Sequence, residues 1–406
     1  MPTPKPLALF LAPEAPYPLH GGGSIRSASL LECLNRSFQV DVVVFREPGA
    51  SDPAPAIPPR LVRRICVLEL PRHSRRPVAR AVRTARRMAL GTPPLTDRFA
   101  GFGAEIDRFV GENRYHVAVV EHFWCAPYVE QLAPRAEAVV LDLHNIESVL
   151  MSRRAAVSRR PAVLALRRFE RASLQLERLW LPRFHRLLAV SELDATRLRE
   201  ICPESRVSVY PNALPLAPMP EVPQEHVLAF SGNLEYDPNV DAVRFFRRRV
   251  WPLLRTRWPS LVWRLIGKNP QAVAHCVRGD PRIELAGPPV VAVEALAAAE
   301  VVVVPLRSGS GTRVKILEAW AAGRPVVSTA LGAEGLPARH GENLLIADTP
   351  DGLAAAVSTL LESPDLRRRL GQAGRRLYET EFTWPAAWAK LDAAGVLERM
   401  PTGGEP

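Results

Sequence analysis

Lysine is nearly missing from this chain. Of its 53 basic residues, Lys5, Lys268, Lys315 and Lys390 are lysines and the other 49 are arginines, whose planar guanidinium suits phosphate and carboxylate. Cysteine is scarce as well. Cys33, Cys66, Cys125, Cys202 and Cys276 are odd in number, scattered and without C-x-x-C pairing, which excludes a disulfide framework or a zinc-finger spacing. They read as small buried hydrophobes in a reducing compartment. No run approaches the roughly 20 apolar residues of a membrane span, and no basic n-region precedes an apolar stretch at the start. A soluble cytoplasmic protein is expected, with attachment to the inner face of the cell membrane left open. No Asp-x-Asp pair occurs to hold a divalent ion.

What is present fits a packed protein. Hydrophobic residues are 47% and charged residues 23%, which excludes wholesale disorder, and 406 residues exceed twice the roughly 150 of a usual domain. Two domains are expected. The formal charge of +11 invites an anionic partner, but it is local. Residues 60–98 hold 11 Arg against Glu69 and Asp97, and residues 153–186 hold 10 Arg against Glu170 and Glu177, which leaves the remainder at −6. Ala162–Phe184 reads as an amphipathic helix, either lying on an anionic membrane or partly buried with a solvated basic face. Basic charge alone supports no specific nucleic-acid binding.

Short apolar, β-branched runs alternate with helical patterns, as in parallel-sheet α/β domains. In the first half they are Leu7–Ala12, Val40–Phe45, Val117–Glu121, Ala138–Leu143, Leu187–Val190 and Val207–Tyr210. Pro211, Pro215, Pro218, Pro220 and Pro223 then mark a stiff linker. The alternation restarts with Val227–Ser231, Leu261–Ile266, Ile283–Ala286, Val301–Pro305, Pro325–Thr329 and Asn343–Ala347. Helical patterns close the chain at Asp351–Leu361, Asp365–Glu381 and Pro385–Leu397, and the proline-rich stretch 46–60 reads as a loop. Two doubly wound α/β halves with a ligand cleft between them are expected.

The segment from Pro305 to Thr329 reads strand, glycine-rich loop, helix, turn, strand. Gly309 and Gly311 allow close backbone approach, and the amides at the following helix start suit an anion. Arg313 and Lys315 oppose the helix dipole there unless a bound anion compensates, which points to phosphate. Glu318, farther along, can accept hydrogen bonds from vicinal sugar hydroxyls. An ordinary αβ turn with solvated cations reads equally well from this segment alone.

Ser310-Gly-Thr-Arg-Val-Lys-Ile-Leu-Glu318 followed by Gly323-Arg-Pro-Val-Val resembles the donor-site signature of the retaining GT-B glycosyltransferases grouped as family 4. Further similar motifs are Pro16–Gly23, Leu141-Asp-Leu-His-Asn-Ile-Glu147, Val190–Asp194, Pro211-Asn212, Gly232–Asp241 and Gly332–Leu336. The resemblance implies two Rossmann-like domains: residues 1–212 for the acceptor and 227–381 for a nucleotide-sugar. A linker spans 213–226, and 382–406 carry a helix returning to the first domain and a tail. It implies catalytic roles for His144, Arg313, Lys315 and Glu318, and donor binding by Gly232, Asn233, Ser310, Gly311, Thr312 and Glu334. It also implies a phosphate or acceptor loop at His20, Gly21, Gly22 and Gly23. Glu147 is a family-motif residue or a helix-start carboxylate favoured by the dipole.

Two departures stand out. The first of a common glutamate pair is Ser310 here, and the usual Arg and Lys after the first donor-domain strand are replaced by Gly232-Asn233-Leu234. Arg313 and Lys315 are the expected substitutes at the diphosphate. The implied activity is hexosyl transfer from a nucleotide-sugar to a saccharide or lipid-linked saccharide, with retention and no metal, in surface or exopolysaccharide synthesis. A sugar-nucleotide epimerase, an inverting transferase and a catalytically silent binding protein of the same fold are the alternatives.

Overall fold

The computed structural model describes residues 5–19, 21–74, 76–158, 162–289, 291–309, 311 and 314–397. His20, Ser310, Thr312 and Arg313 lie outside the described residues. The chain forms two compact units, Met1–Pro211 with Trp388–Pro406, and Asn212–Ala387.

The first unit is built on seven parallel strands: β1 Leu7–Ala12, β2 Gln39–Arg46, β3 Arg64–Glu69, β4 Tyr115–Glu121, β5 Ala136–Leu143, β6 Arg186–Ala189 and β7 Val207–Val209. Their order is β3-β2-β1-β4-β5-β6-β7. The apolar runs of β1, β2, β4 and β5 are buried on both faces because helices cover the sheet on each side. Leu9, Leu11, Val43, Val120 and Leu141 share one core with Ile106, Leu181 and Leu198.

Strand β3 escapes the sequence pattern, since its apolar centre, Ile65–Leu68, lies inside the first arginine-rich stretch. Arg63 and Arg64 both bond the Asp41 carboxylate, which also accepts the Tyr115 hydroxyl at 2.8 Å. Burial would raise the Asp41 carboxyl, but these hydrogen bonds hold it below its ordinary value. Part of the supposed surface charge is therefore structural. The amphipathic helix expected from Ala162 runs Ala162–Trp180 and buries Phe169 and Ala172, while Leu164 and Leu179 stay exposed.

The second unit holds β8 Glu225–Ser231, β9 Val262–Ile266, β10 Ile283–Ala286, β11 Ala299–Val304, β12 Val326–Ser328 and β13 Leu345–Ile346. Their parallel order, β10-β9-β8-β11-β12-β13, repeats that of the first six strands of the first unit. Both units are thus Rossmann-like and doubly wound, each with a switch point where the strand order reverses. Strand β13 is shorter than its apolar run because Asn343 closes a turn, donating to the Pro337 carbonyl and accepting from the Arg339 amide.

The proline-rich segment is tied to the second unit. Leu214 bridges Thr383, the Tyr378 hydroxyl donates to the Pro215 carbonyl at 2.7 Å, and Arg375 donates to the Ala217 carbonyl at 2.7 Å. The helix Trp384–Ala393 passes from one unit to the other, and within the first unit Trp388 Nε1 donates to the Ser29 carbonyl at 3.0 Å. Among the described residues no helix is long and apolar enough to cross a membrane. Cys33, Cys125 and Cys202 are buried as expected, whereas Cys66 and Cys276 are half-buried.

Candidate active site

The switch point of the second unit lies between β8 and β11, where ligands of open α/β sheets bind beyond the carboxyl ends of the strands. Strand β8 ends at Ser231, whose hydroxyl donates to Glu318 Oε2 at 3.2 Å, and Glu318 stands on the helix Val314–Ala321 that follows β11. Burial raises the Glu318 carboxyl, offset in part by Lys315 and by the Ser231 bond. Lys315, in the first turn of the same helix, donates to Asn239 Oδ1 at 3.0 Å and lies 5.3 Å from the centre of the Phe230 ring. Asn239 Nδ2 in turn donates to the Asn233 carbonyl at 2.7 Å.

This chain of contacts requires glycine beside it. Gly232 has φ +142, and a Cβ there would lie 2.9 Å from Asn239 Nδ2 and 3.3 Å from Lys315 Nζ. Gly267 packs on it so closely that its own Cβ would fall 1.8 Å from the Gly232 oxygen. The loop after β11 has left-handed backbone at Gly309 and Gly311, φ +121 and +72, a conformation that favours glycine. Glu334 lies in the turn after β12, in which the Gly332 amide donates to Thr329 Oγ1 at 2.9 Å.

The first unit carries a denser cluster at the ends of β4 and β5. Arg26, on the helix Gly22–Ser37, is buried and grips Asp142 through Nε and Nη2 at 2.8 and 2.5 Å, while its Nη1 donates to the Tyr210 carbonyl at 2.8 Å. Its neighbour Ser27 donates to Glu121. His144 Nε2 lies 3.3 Å from Asp142 Oδ2 and 3.7 Å from Glu121 Oε1. Burial alone would lower His144, but the two carboxylates outweigh it and carry its pKa up to about 9. His144 is therefore an imidazolium at neutral pH. The His122 ring lies tilted against it, centroids 3.7 Å apart, and stacks on Trp124 at 4.3 Å, and burial with the adjacent His144 charge holds His122 well below its ordinary value.

Glu121, Asp142 and His144 are the one group among the described residues whose ligand atoms come close enough to hold a cation, within 4.8 Å. Arg26 already supplies positive charge to the Asp142 carboxylate. Glu147, the first residue of the helix Glu147–Val157, is buried rather than solvated at the helix start. Burial and then Glu177 push it up to about 7, and burial does the same to Glu177, which accepts from the Ser148 amide and hydroxyl.

The structure thus brings Gly232, Asn233, Lys315 and Glu318 together in the second unit, and places His144 with its carboxylates in the first. Gly21 precedes the helix Gly22–Ser37, and a Cβ at Gly21 would meet nothing within 4 Å. Asn239, Arg26, Asp142 and Glu121 are among the participants that had no site role from sequence. A signal existed for the last two, because a carboxylate that follows a buried apolar run, Val117–Val120 or Ala138–Leu141, is out of place unless partnered.

Residues 225–363 match the family described as glycosyl transferases group 1. That match lies within the second unit. No curated protein sequence matches the chain. Among solved structures, sucrose-phosphate synthase from Thermosynechococcus elongatus is similar at TM-score 0.71 and 17% identity, covering 96% of this chain and 98% of that one. HepE of Anabaena, solved with UDP and glucose, matches at TM-score 0.65 and 15% identity over 96% and 99%. A TarM mutant from S. aureus, solved with Fondaparinux, alpha-GlcNAc-glycerol and UDP, matches at 0.67 and 9% over 96% and 99%. The similarity spans both units and identifies the fold as GT-B. The group 1 match covers β8 to β13, together with Lys315, Glu318 and Glu334.

Proposed function

We propose that this protein transfers a hexosyl unit from a nucleotide-sugar to a saccharide or lipid-linked saccharide, with retention at the anomeric carbon and without a metal ion. The observation that carries the reading is the convergence of Lys315, Glu318, Gly232 and Asn233 at the switch point of the group 1 domain. The UDP held by HepE and TarM supports a nucleoside diphosphate as the leaving group.

Charge builds on that diphosphate as the sugar bond breaks, and fixed cations and amides aimed at it are worth several kcal/mol in a site shielded from water. Lys315 supplies the cation, pre-oriented by Asn239, and the amides around Gly309 and Gly311 supply donors. Arg313 adds a second cation in this assignment. Glu318, steadied by Ser231, accepts from sugar-ring hydroxyls, and Glu334 does the same from the turn after β12. The acceptor belongs to the first unit, where the imidazolium of His144 donates to a sugar hydroxyl and cannot act as a base at neutral pH. Retention requires attack from the face that the diphosphate leaves, with the departing phosphate oxygen taking the acceptor proton.

A panel of UDP-, GDP-, ADP- and TDP-sugars tests the reading, scored by protection against thermal unfolding and by nucleotide release. One donor is expected to do both, with release lost in Glu318→Ala and Lys315→Ala. Protection without release from any donor would refute the transferase assignment. The anomeric configuration of the product, read by NMR, tests retention, and turnover undiminished by EDTA tests the absence of a metal requirement.

A further inference from the structure

The helix Pro77–Leu90 has its apolar side outward. Val78, Ala81, Val82, Ala85 and Ala89 recur at helical spacing and are all exposed, Val78 to 75% and Val82 to 63%, and no residue of this 14-residue helix is buried. The side turned to the protein is mixed, with Arg83, Thr84, Arg87 and Met88 half-buried there. Arg83 donates to the Ser74 carbonyl at 2.7 Å, and Arg87 pairs with Asp97 at 2.7 Å. An ordinary surface helix does the reverse. No acidic residue occurs between Glu69 and Asp97, and Arg76, Arg80 and Arg86 stay exposed around the apolar strip. Arg168, on the second basic helix, donates to the Met88 carbonyl at 3.2 Å, which sets Leu164, Arg167 and Arg171 beside the same surface.

A nucleic acid would answer the exposed arginines but leave Val78 and Val82, exposed among them, without an apolar partner. An anionic bilayer meets both, with apolar side chains in the acyl boundary and long guanidinium stems reaching back to the phosphates. We propose that the helix Pro77–Leu90 docks on an anionic lipid surface, lying in the interface plane with Val78, Val82 and Ala85 inserted and Arg76, Arg80 and Arg86 at the headgroups. This holds whether or not the transfer reaction is as assigned above.

The test is flotation of the full chain with vesicles of phosphatidylcholine alone and of phosphatidylcholine mixed with phosphatidylglycerol, with circular dichroism melts to verify folding. Binding to the mixed vesicles alone is expected. Arg80→Ala/Arg86→Ala should weaken it roughly 30-fold, about fivefold for each charge, and Val82→Glu roughly tenfold or more. Arg248→Ala/Arg249→Ala, exposed arginines of the second unit, should leave it unchanged. All of these residues are exposed, so the melts should match the wild type. Equal binding to both vesicles, no binding to either, wild-type affinity in Val82→Glu, or equal weakening by the Arg248/Arg249 pair would each overturn the proposal. So would self-association that Val82→Glu abolishes while vesicle binding persists, since that assigns the face to a second copy. Nucleotide release is measured in parallel, so failure of docking and failure of transfer read separately.

Discussion

Asp142 holds two cations at once, and Asp142→Asn removes the charge from both. Arg26 stays buried and loses its bidentate carboxylate, while keeping its bond to the Tyr210 carbonyl and its place over the Tyr210 ring, 4.4 Å from its guanidinium carbon. Taking one partner from a buried ion pair costs about 3–5 kcal/mol because the other charge stays uncompensated. The same change strips His144 of its nearer carboxylate. In the folded wild type His144 keeps its proton up to about pH 9, against 6.5 for the ordinary group. Its contribution is thus complete below pH 6.5 and is lost as the pH rises through 9, a difference of about 3 kcal/mol. Glu121, raised by burial, acts in the same direction. Hydrogen exchange at the β4 and β5 amides reads the opening free energy of the first unit by itself, which a two-unit melt does not. Wild-type protection should fall between pH 6.5 and 9. Asp142→Asn should lie about 3–5 kcal/mol lower at pH 6.5, with a shallower fall. A wild-type profile that does not fall, or a variant within about 1 kcal/mol of wild type, would refute the reasoning.

Glu147 and Glu177 both rise from 4.5 to about 7, so folding favours their protonated forms and stability is lost as the pH climbs from 4.5 through 7. Glu177→Gln should flatten that loss and raise stability at pH 8 by about 2 kcal/mol in a denaturant titration. Gly267→Ala should destabilise the second unit by more than about 3 kcal/mol in thermal unfolding, because its Cβ overlaps the Gly232 oxygen. Gly21→Ala, with open space around the added carbon, should cost less than about 1 kcal/mol yet raise KM for donor or acceptor if that loop approaches a ligand. Glu318→Gln keeps the size of the side chain and loses its charge, and should lower kcat roughly a hundredfold with the melt unchanged.

Much of the fold was legible because helix-covered parallel strands must be apolar on both faces, and runs such as Leu7–Ala12 and Val227–Ser231 carry no other message. Strand β3 was hidden for an equally physical reason: at the sheet edge its neighbours are arginines, which look like surface charge until Asp41 is seen beneath them. In the candidate site, Lys315 and Glu318 could be paired from helical spacing alone. Asn239 could not, since its place beneath Gly232 depends on how its helix packs on β8. Arg26 and Asp142 are 116 positions apart, and the 49 arginines offer no way to single out the buried one.

By itself the sequence determined the two alternating α/β halves, the glycine-rich loop that places Lys315 and Glu318 on one helix, and the excess of arginine over lysine. Those are local properties, set by burial periodicity, glycine backbone freedom and residue chemistry. Tertiary structure decided how the charge is used. It paired Arg26, Arg63, Arg64 and Arg87 with carboxylates, made His144 a cation by setting two carboxylates beside it, and turned the apolar side of Pro77–Leu90 to the outside. Charge and exposure depend on what lies within a few ångströms in space, and no pattern along the chain records that.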